Sequence, residues 1–269
     1  TGTEAAAFKY WEKWMKKKDN NEMFQIVKTA HATKYDDGMQ RSSFQINNTL
    51  LTTNRKVLQK IAQPSIDFCN SLKLNVEAYV RWLEIESTQR CSINRVLVDL
   101  YHQNPDVQNW TWWKDQRRTK ISAFKRERLL QGKLFQPGDN LTICGNPIAL
   151  LMAVVGENPI KEGCFYLEDD AIQCYTEQFA PREYIAGFRS PHNSPNNIVY
   201  LHNVYPNLIR LYFPKLGKNV IVINGICTDV QPRLSGQDLD SDAIFATNQP
   251  DIVTLAKKAY AEYPTIINA

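Results

Sequence analysis

The spacing of apolar residues changes character about halfway along the chain. Over residues 1–134 it follows a helical period. In 5–18, Phe8, Trp11 and Met15 recur at helical intervals with lysines between them. Residues 50–62 place Leu51, Val57, Leu58 and Ile61 on one stripe, and 75–87 and 92–101 repeat the pattern. Breaks in the period fall at Asp37-Gly38, Gln63-Pro64 and Asn104-Pro105. The stretch 115–133 predicts a further helix with Ile121, Phe124 and Leu129 as its apolar seam.

Pro137-Gly138-Asp139 punctuates the chain, and short extended segments follow. They are 141–144, 164–167, Tyr184–Phe188, 197–202, 219–224 and Ala243–Thr247. Helical pieces intervene at Pro147–Val155, with Asn146 as cap and Pro147 at the first position, and at Asn207–Tyr212. A closing helix is expected over 251–260, started by Pro250-Asp251. Strands this short, with turn signals between them, predict a small barrel or mixed sheet, not a doubly wound fold. The expected chain is α+β. It has a mostly helical basic region over 1–137, a barrel-like domain over 138–250, and a C-terminal helix and tail over 251–269.

Composition narrows the function classes. The longest apolar run, 148–155, is far short of the roughly 20 residues of a membrane-spanning helix. Charges and Trp interrupt the first apolar residues, unlike a signal peptide. The six cysteines are scattered with no CxxC pair, as expected of reduced thiols in a cytoplasmic protein. Charge is divided unequally: residues 1–137 carry 23 Lys/Arg against 14 Asp/Glu, whereas 138–269 carry 9 against 14. A basic part beside an acidic one suits a protein that attracts phosphates on one side and binds a cation on the other.

The basic excess is densest in 115–133, where Arg117, Arg118, Lys125, Arg126 and Arg128 are candidate contacts to a nucleic-acid backbone. Trp110, Trp112 and Trp113 precede them and are candidates to stack on bases. The same pattern is also that of a solvated helix packed through its seam, with Trp in the core.

The sharpest chemical signal is Ser235-Gly236-Gln237-Asp238-Leu239-Asp240-Ser241-Asp242. Three carboxylates at alternating positions repel one another when held close, and a cation offsets that repulsion. Carboxylate oxygens are the hard ligands that Mg²⁺ prefers. An EF-hand is excluded, because its sixth position is Ala243 instead of Gly and its twelfth is Gln249 instead of Glu. A dehalogenase-type phosphatase needs a hydrophobic strand directly before the first Asp, and Ser235-Gly236-Gln237 is not one.

Upstream lies Gly187-Phe188-Arg189-Ser190-Pro191. The order of these two motifs resembles the catalytic barrel of the multisubunit RNA polymerases and of the cellular RNA-dependent RNA polymerases of RNA silencing, bacterial or phage-like single-chain relatives included. Those families carry an Arg-x-Pro element on one strand and, some tens of residues later, a loop whose three Asp hold catalytic Mg²⁺. In the silencing enzymes that loop often reads close to Ser-Gly-x-Asp-Leu-Asp-Gly-Asp. The resemblance spans roughly 138–250 and implies a double-psi β-barrel. It implies that Asp238, Asp240 and Asp242 bind Mg²⁺ (or Mn²⁺) at the primer terminus, and that Arg189 lies near the incoming sugar or the primer end. It also implies a nucleic-acid template, an RNA product and nucleoside triphosphates as partners. A second barrel, on another chain or on a missing part of this one, would supply lysines to the substrate phosphates. Two positions depart from the pattern: Ser241 replaces the usual Gly, and Gly236 stands where the multisubunit enzymes have Asn. The alternative function is a non-catalytic nucleic-acid-binding protein that retains the barrel. A metal-dependent hydrolase ranks lower, because no His stands beside the triplet.

Overall fold

The computed structural model describes residues 39–87, 92–162 and 164–265. The expected helix over 5–18 lies outside the described residues. Helices α1 (Arg55–Leu74), α2 (Val76–Glu86), α3 (Ile93–Gln103) and α4 (Thr111–Glu127) form the helical region. Polar caps set their starts. Asn54 accepts from Lys56 N–H, Asn75 from Glu77 and Ala78 N–H, and Ser92 from Arg95 N–H. The buried stripes meet in an aromatic core in which Trp113 stands edge-on to Tyr79 at 5.4 Å and Trp82 edge-on to Phe124 at 5.4 Å. Each fully buried ring of this kind contributes roughly 1.5–3 kcal/mol. The three clustered tryptophans therefore divide: Trp113 is core, whereas Trp110 and Trp112 are exposed.

The expected break at Pro64 is absent, and α1 runs through it. A helical proline removes one donor and disturbs the carbonyls of the preceding turn. Strand residues fasten the helix on either side of it: Gln136 Nε2 donates to the Ile61 carbonyl at 2.6 Å, and Ser65 Oγ accepts from Phe135 N–H at 2.7 Å. Tertiary packing thus overrides the local breaker.

Strands β1 (Met39–Arg41) and β2 (Phe135–Pro137) pair antiparallel and lead through Gly138 into the barrel. Its strands are β3 (Asp139–Cys144), β4 (Ile172–Tyr175), β5 (Tyr184–Phe188), β6 (Ile198–Asn203), β7 (Val220–Ile223) and β8 (Ala243–Thr247). They close in the order β3-β7-β4-β6-β5-β8, with β3–β7 and β4–β6 parallel and the other pairs antiparallel. Alternate residues fill the interior: Leu141 and Ile143, Val199 and Leu201, Ile221 and Ile223, Ile244 and Ala246. Gly187 sits where no side chain fits, since a Cβ there would come within 2.6 Å of Val199 Cγ2. The expected strand at 164–167 is not formed, and β4 takes its place.

The outer face is covered on two sides. Phe188, Ile198, Tyr200 and Phe245 pack against Ile252 and Ala256 of α7 (Pro250–Glu262) and against Ile46, Leu50 and Ile61. Tyr175 and Val222 pack against Ile148 of α5 (Pro147–Val155) and Ile209 of α6 (Asn207–Tyr212). The Asn146 side chain caps α5 by accepting from Ile148 and Ala149 N–H, as its sequence predicts. The architecture is the expected α+β one: helices, a double-psi-like barrel and a C-terminal helix. Among the described residues no helix is long and apolar enough to cross a membrane.

Candidate functional site

The aspartate-rich loop joins the helical turn Val230–Arg233 to β8. Its shape comes from left-handed backbone at Ser235 (φ 56°), Gly236 (φ 68°) and Ser241 (φ 92°). Gly236 tolerates that conformation freely, whereas the two serines do so at a cost. Gly236 and Gln237 N–H both donate to the Gln231 carbonyl, at 3.0 and 3.1 Å. On the far side, Leu239 lies over Gly145, where a Cβ would come within 2.9 Å of Leu239 Cδ1. The Asp242 carbonyl accepts from Ile143 N–H at 2.7 Å, which ties the end of the loop to β3.

The two sequence motifs meet here. Arg189 directly follows β5, and its Nε lies 2.8 Å from Asp242 Oδ2. Its Nη1 donates to the Leu234 and Ser235 carbonyls at 2.9 and 3.1 Å. Asp242 Oδ2 also accepts from Asp238 N–H at 2.9 Å, and Ser235 Oγ donates to the Pro191 carbonyl at 2.9 Å. Arg189 thus braces the loop from the Arg-Ser-Pro side. Asp238 and Asp240 are exposed, and Asp242 is half-buried.

As a donor set for Mg²⁺ these three carboxylates have suitable chemistry, being hard oxygens on one exposed loop. Their arrangement is not that of a filled site. Among the described residues no three His, Cys, Asp or Glu side chains gather closely enough to hold a metal ion, and Asp242 is turned to Arg189.

Sequence reasoning passed over Arg233, which is buried directly behind the loop. It pairs with Asp229 at 2.9 Å, sits over the Tyr260 ring at 4.6 Å, and receives Asn197 Nδ2 on its carbonyl at 3.1 Å. The i,i+4 spacing of Asp229 and Arg233 was the available signal. His202 is likewise a paired group, with Nδ1 2.8 Å from Glu168 Oε1.

The basic helix α4 borders a groove of about 310 Å³ lined by Lys73, Lys114, Arg117, Arg118 and Lys125. The nominated cations differ in their duties. Arg117 donates to the Leu72 carbonyl from Nε at 3.1 Å and Nη2 at 2.7 Å, and lies 5.4 Å from the Tyr79 ring. It therefore caps the end of α1. Arg118 lies 3.6 Å from Asp115, Arg126 2.9 Å from Glu127, and Arg128 4.0 Å from Glu86. Among the described residues Lys114 and Lys125 face no carboxylate partner.

No protein-family model and no curated protein matches the sequence. Among solved structures, the fold is similar to that of the RNA dependent RNA polymerase QDE-1 from Thielavia terrestris, with a TM-score of 0.53 and 14% sequence identity. The match covers 79% of this chain and 24% of that one, so this chain spans about a quarter of that protein's length. At that identity the likeness is one of fold.

Proposed function

We propose that this chain is the catalytic barrel region of an RNA polymerase, extending an RNA 3′ end from ribonucleoside triphosphates. The observation that carries this is the meeting of its two motifs at one end of the barrel, where Arg189 Nε lies 2.8 Å from Asp242 Oδ2. The fold shared with an RNA-dependent RNA polymerase supports it. Asp238, Asp240 and Asp242 would hold Mg²⁺ or Mn²⁺, with Asp242 turning from Arg189 to do so. Bound there, the ion would supply the Lewis acidity that nucleotidyl transfer needs. The chain's own contribution is positioning and electrostatics. Arg189 and the Gln231 carbonyl fix the ends of the loop, Leu239 anchors its middle on Gly145, and the basic groove beside α4 attracts template and product phosphates.

The remaining part of such an enzyme needs a surface on which to pack. Leu150, Leu151, Val154 and Val155 of α5 are exposed and adjoin an apolar groove of about 630 Å³ that reaches Leu239. A second barrel-bearing part, on another chain or elsewhere in this one, would cover that face. The deciding experiment is nucleotide incorporation by the complete enzyme carrying Asp240→Asn. Loss of synthesis with RNA binding retained is expected, and full synthesis would overturn the assignment.

A non-catalytic nucleic-acid-binding protein is the second function, favoured by the pairing of Asp242 with Arg189 instead of with other carboxylates. It requires salt-dependent RNA binding through α4 that is indifferent to the aspartates.

A further inference from the structure

A cavity of about 500 Å³ opens beside the Arg189–Asp242 pair, between the barrel and the end of α4. That is within the size range of small-molecule sites. The helical region contributes Arg128 and Lys133 to its wall, and the barrel contributes Arg189 and His192. The turn after α4 is built to present the first two together. Lys133 N–H donates to the Arg128 carbonyl at 3.0 Å, and Gly132 between them takes φ 76°. The Gly132 carbonyl accepts from Asn47 Nδ2 at 3.1 Å, which fastens the turn to the far wall.

The charges in this cavity are unequally satisfied. Arg189 is engaged by Asp242 at 2.8 Å, while Arg128 reaches Glu86 only at 4.0 Å. Lys133 faces no carboxylate among the described residues. A cavity whose wall carries unspent positive charge suits an anionic occupant.

We propose that this cavity binds the phosphates of a nucleoside triphosphate, with Lys133 as the principal contact and Arg128 as the second. The choice of a triphosphate rests on the polymerase function proposed above. It means that the helical region of this chain supplies phosphate-binding cations to the barrel. Phe44, half-exposed on the cavity wall, offers an aromatic face for the base.

The test is calorimetric titration of the full chain with ATP in the presence of EDTA, so that the aspartate loop takes no part. Lys133→Met is expected to weaken ATP binding roughly tenfold or more, the effect of losing a charge-assisted hydrogen bond. Lys133→Arg should restore most of it, and inorganic tripolyphosphate should displace ATP. Lys60→Met, an exposed lysine on α1, controls for long-range charge. Equal weakening by Lys60→Met and Lys133→Met would overturn the assignment, as would ATP binding that ignores Lys133. Dependence on Lys133 for a short RNA but not for ATP would replace the triphosphate with an RNA backbone and overturn it too. A thermal melt of each variant confirms that it is folded. Because no metal is present, failure here is distinct from failure of the Asp240 experiment.

Discussion

Arg189 and Asp242 close a ring across the mouth of the barrel: the guanidinium Nε lies 2.8 Å from the carboxylate, and Nη1 holds the Leu234 and Ser235 carbonyls at the other end of the same loop. One planar cation therefore fixes both ends of the aspartate loop. Arg189→Met leaves two carbonyls and a carboxylate without that donor and should destabilise the protein by about 2 kcal/mol in chemical denaturation. Arg189→Lys should recover little, because an ammonium cannot span the three acceptors that the guanidinium fork reaches. Equal stability of Arg189→Lys and the parent would show that the fork is not what matters.

Ser241 stands where the resembling loops carry Gly, and its backbone has the left-handed φ of 92° that Gly adopts freely. Left-handed backbone costs a non-glycine residue about 1–2 kcal/mol, part of which glycine returns through its greater unfolded-state freedom. Ser241→Gly should therefore raise stability by about 0.5 kcal/mol, and Ser241→Val should lower it by more than about 1 kcal/mol. Denaturation midpoints of the pair give the sign. A stabilising valine would mean that the loop relaxes to a different backbone.

Much of this fold was legible because its strands bury one face inward at period two. Leu141 and Ile143 of β3, which alternate with less buried neighbours, show this, and Asn146-Pro147 announced the start of α5. Where both faces of a strand are covered, alternation vanishes. Ile172–Tyr175 is buried at every position, so its four residues carried no period to read. Residues 164–167 offered Phe165, Tyr166 and Leu167 as a more attractive apolar run, yet Tyr166 and Leu167 are exposed. Pro64 misled because the bonds that hold its helix against β2 involve the distant Phe135 and Gln136. The aspartate triplet was readable as a loop. Its closure on Arg189 depends on barrel topology, which no local pattern encodes.

The cations on and just after α4 are alike in sequence, and geometry separates them. Arg117 is spent on the Leu72 carbonyl and the Tyr79 ring. Arg117→Met should lower stability by about 1–2 kcal/mol. Lys125 lines the same groove and is exposed with no carboxylate partner among the described residues. Lys125→Met should leave stability within about 0.5 kcal/mol. It should weaken RNA binding and reduce the slope of log affinity against log salt by about one. Titrations at several salt concentrations check this, and an unchanged slope would remove Lys125 from the interface.

His192 gives the protein a defined acid sensitivity. Burial disfavours its charged form and pushes its pKa down from 6.5 to about 4. The unfolded chain therefore takes up a proton that the folded chain refuses between those two values. Folding stability should fall as pH drops through this window and level off, as far as this group is concerned, below about pH 4. A tenfold difference in proton affinity between the folded and unfolded chain is worth about 1.4 kcal/mol, so the full loss is on the order of 3 kcal/mol. His192→Gln keeps a polar side chain of similar length without the titration and should flatten the stability profile between pH 6.5 and pH 4. Denaturation curves across that range give the comparison. If parent and variant lose stability in parallel, the acid response belongs to the carboxylates and His192 is charged or reachable by water in the folded state.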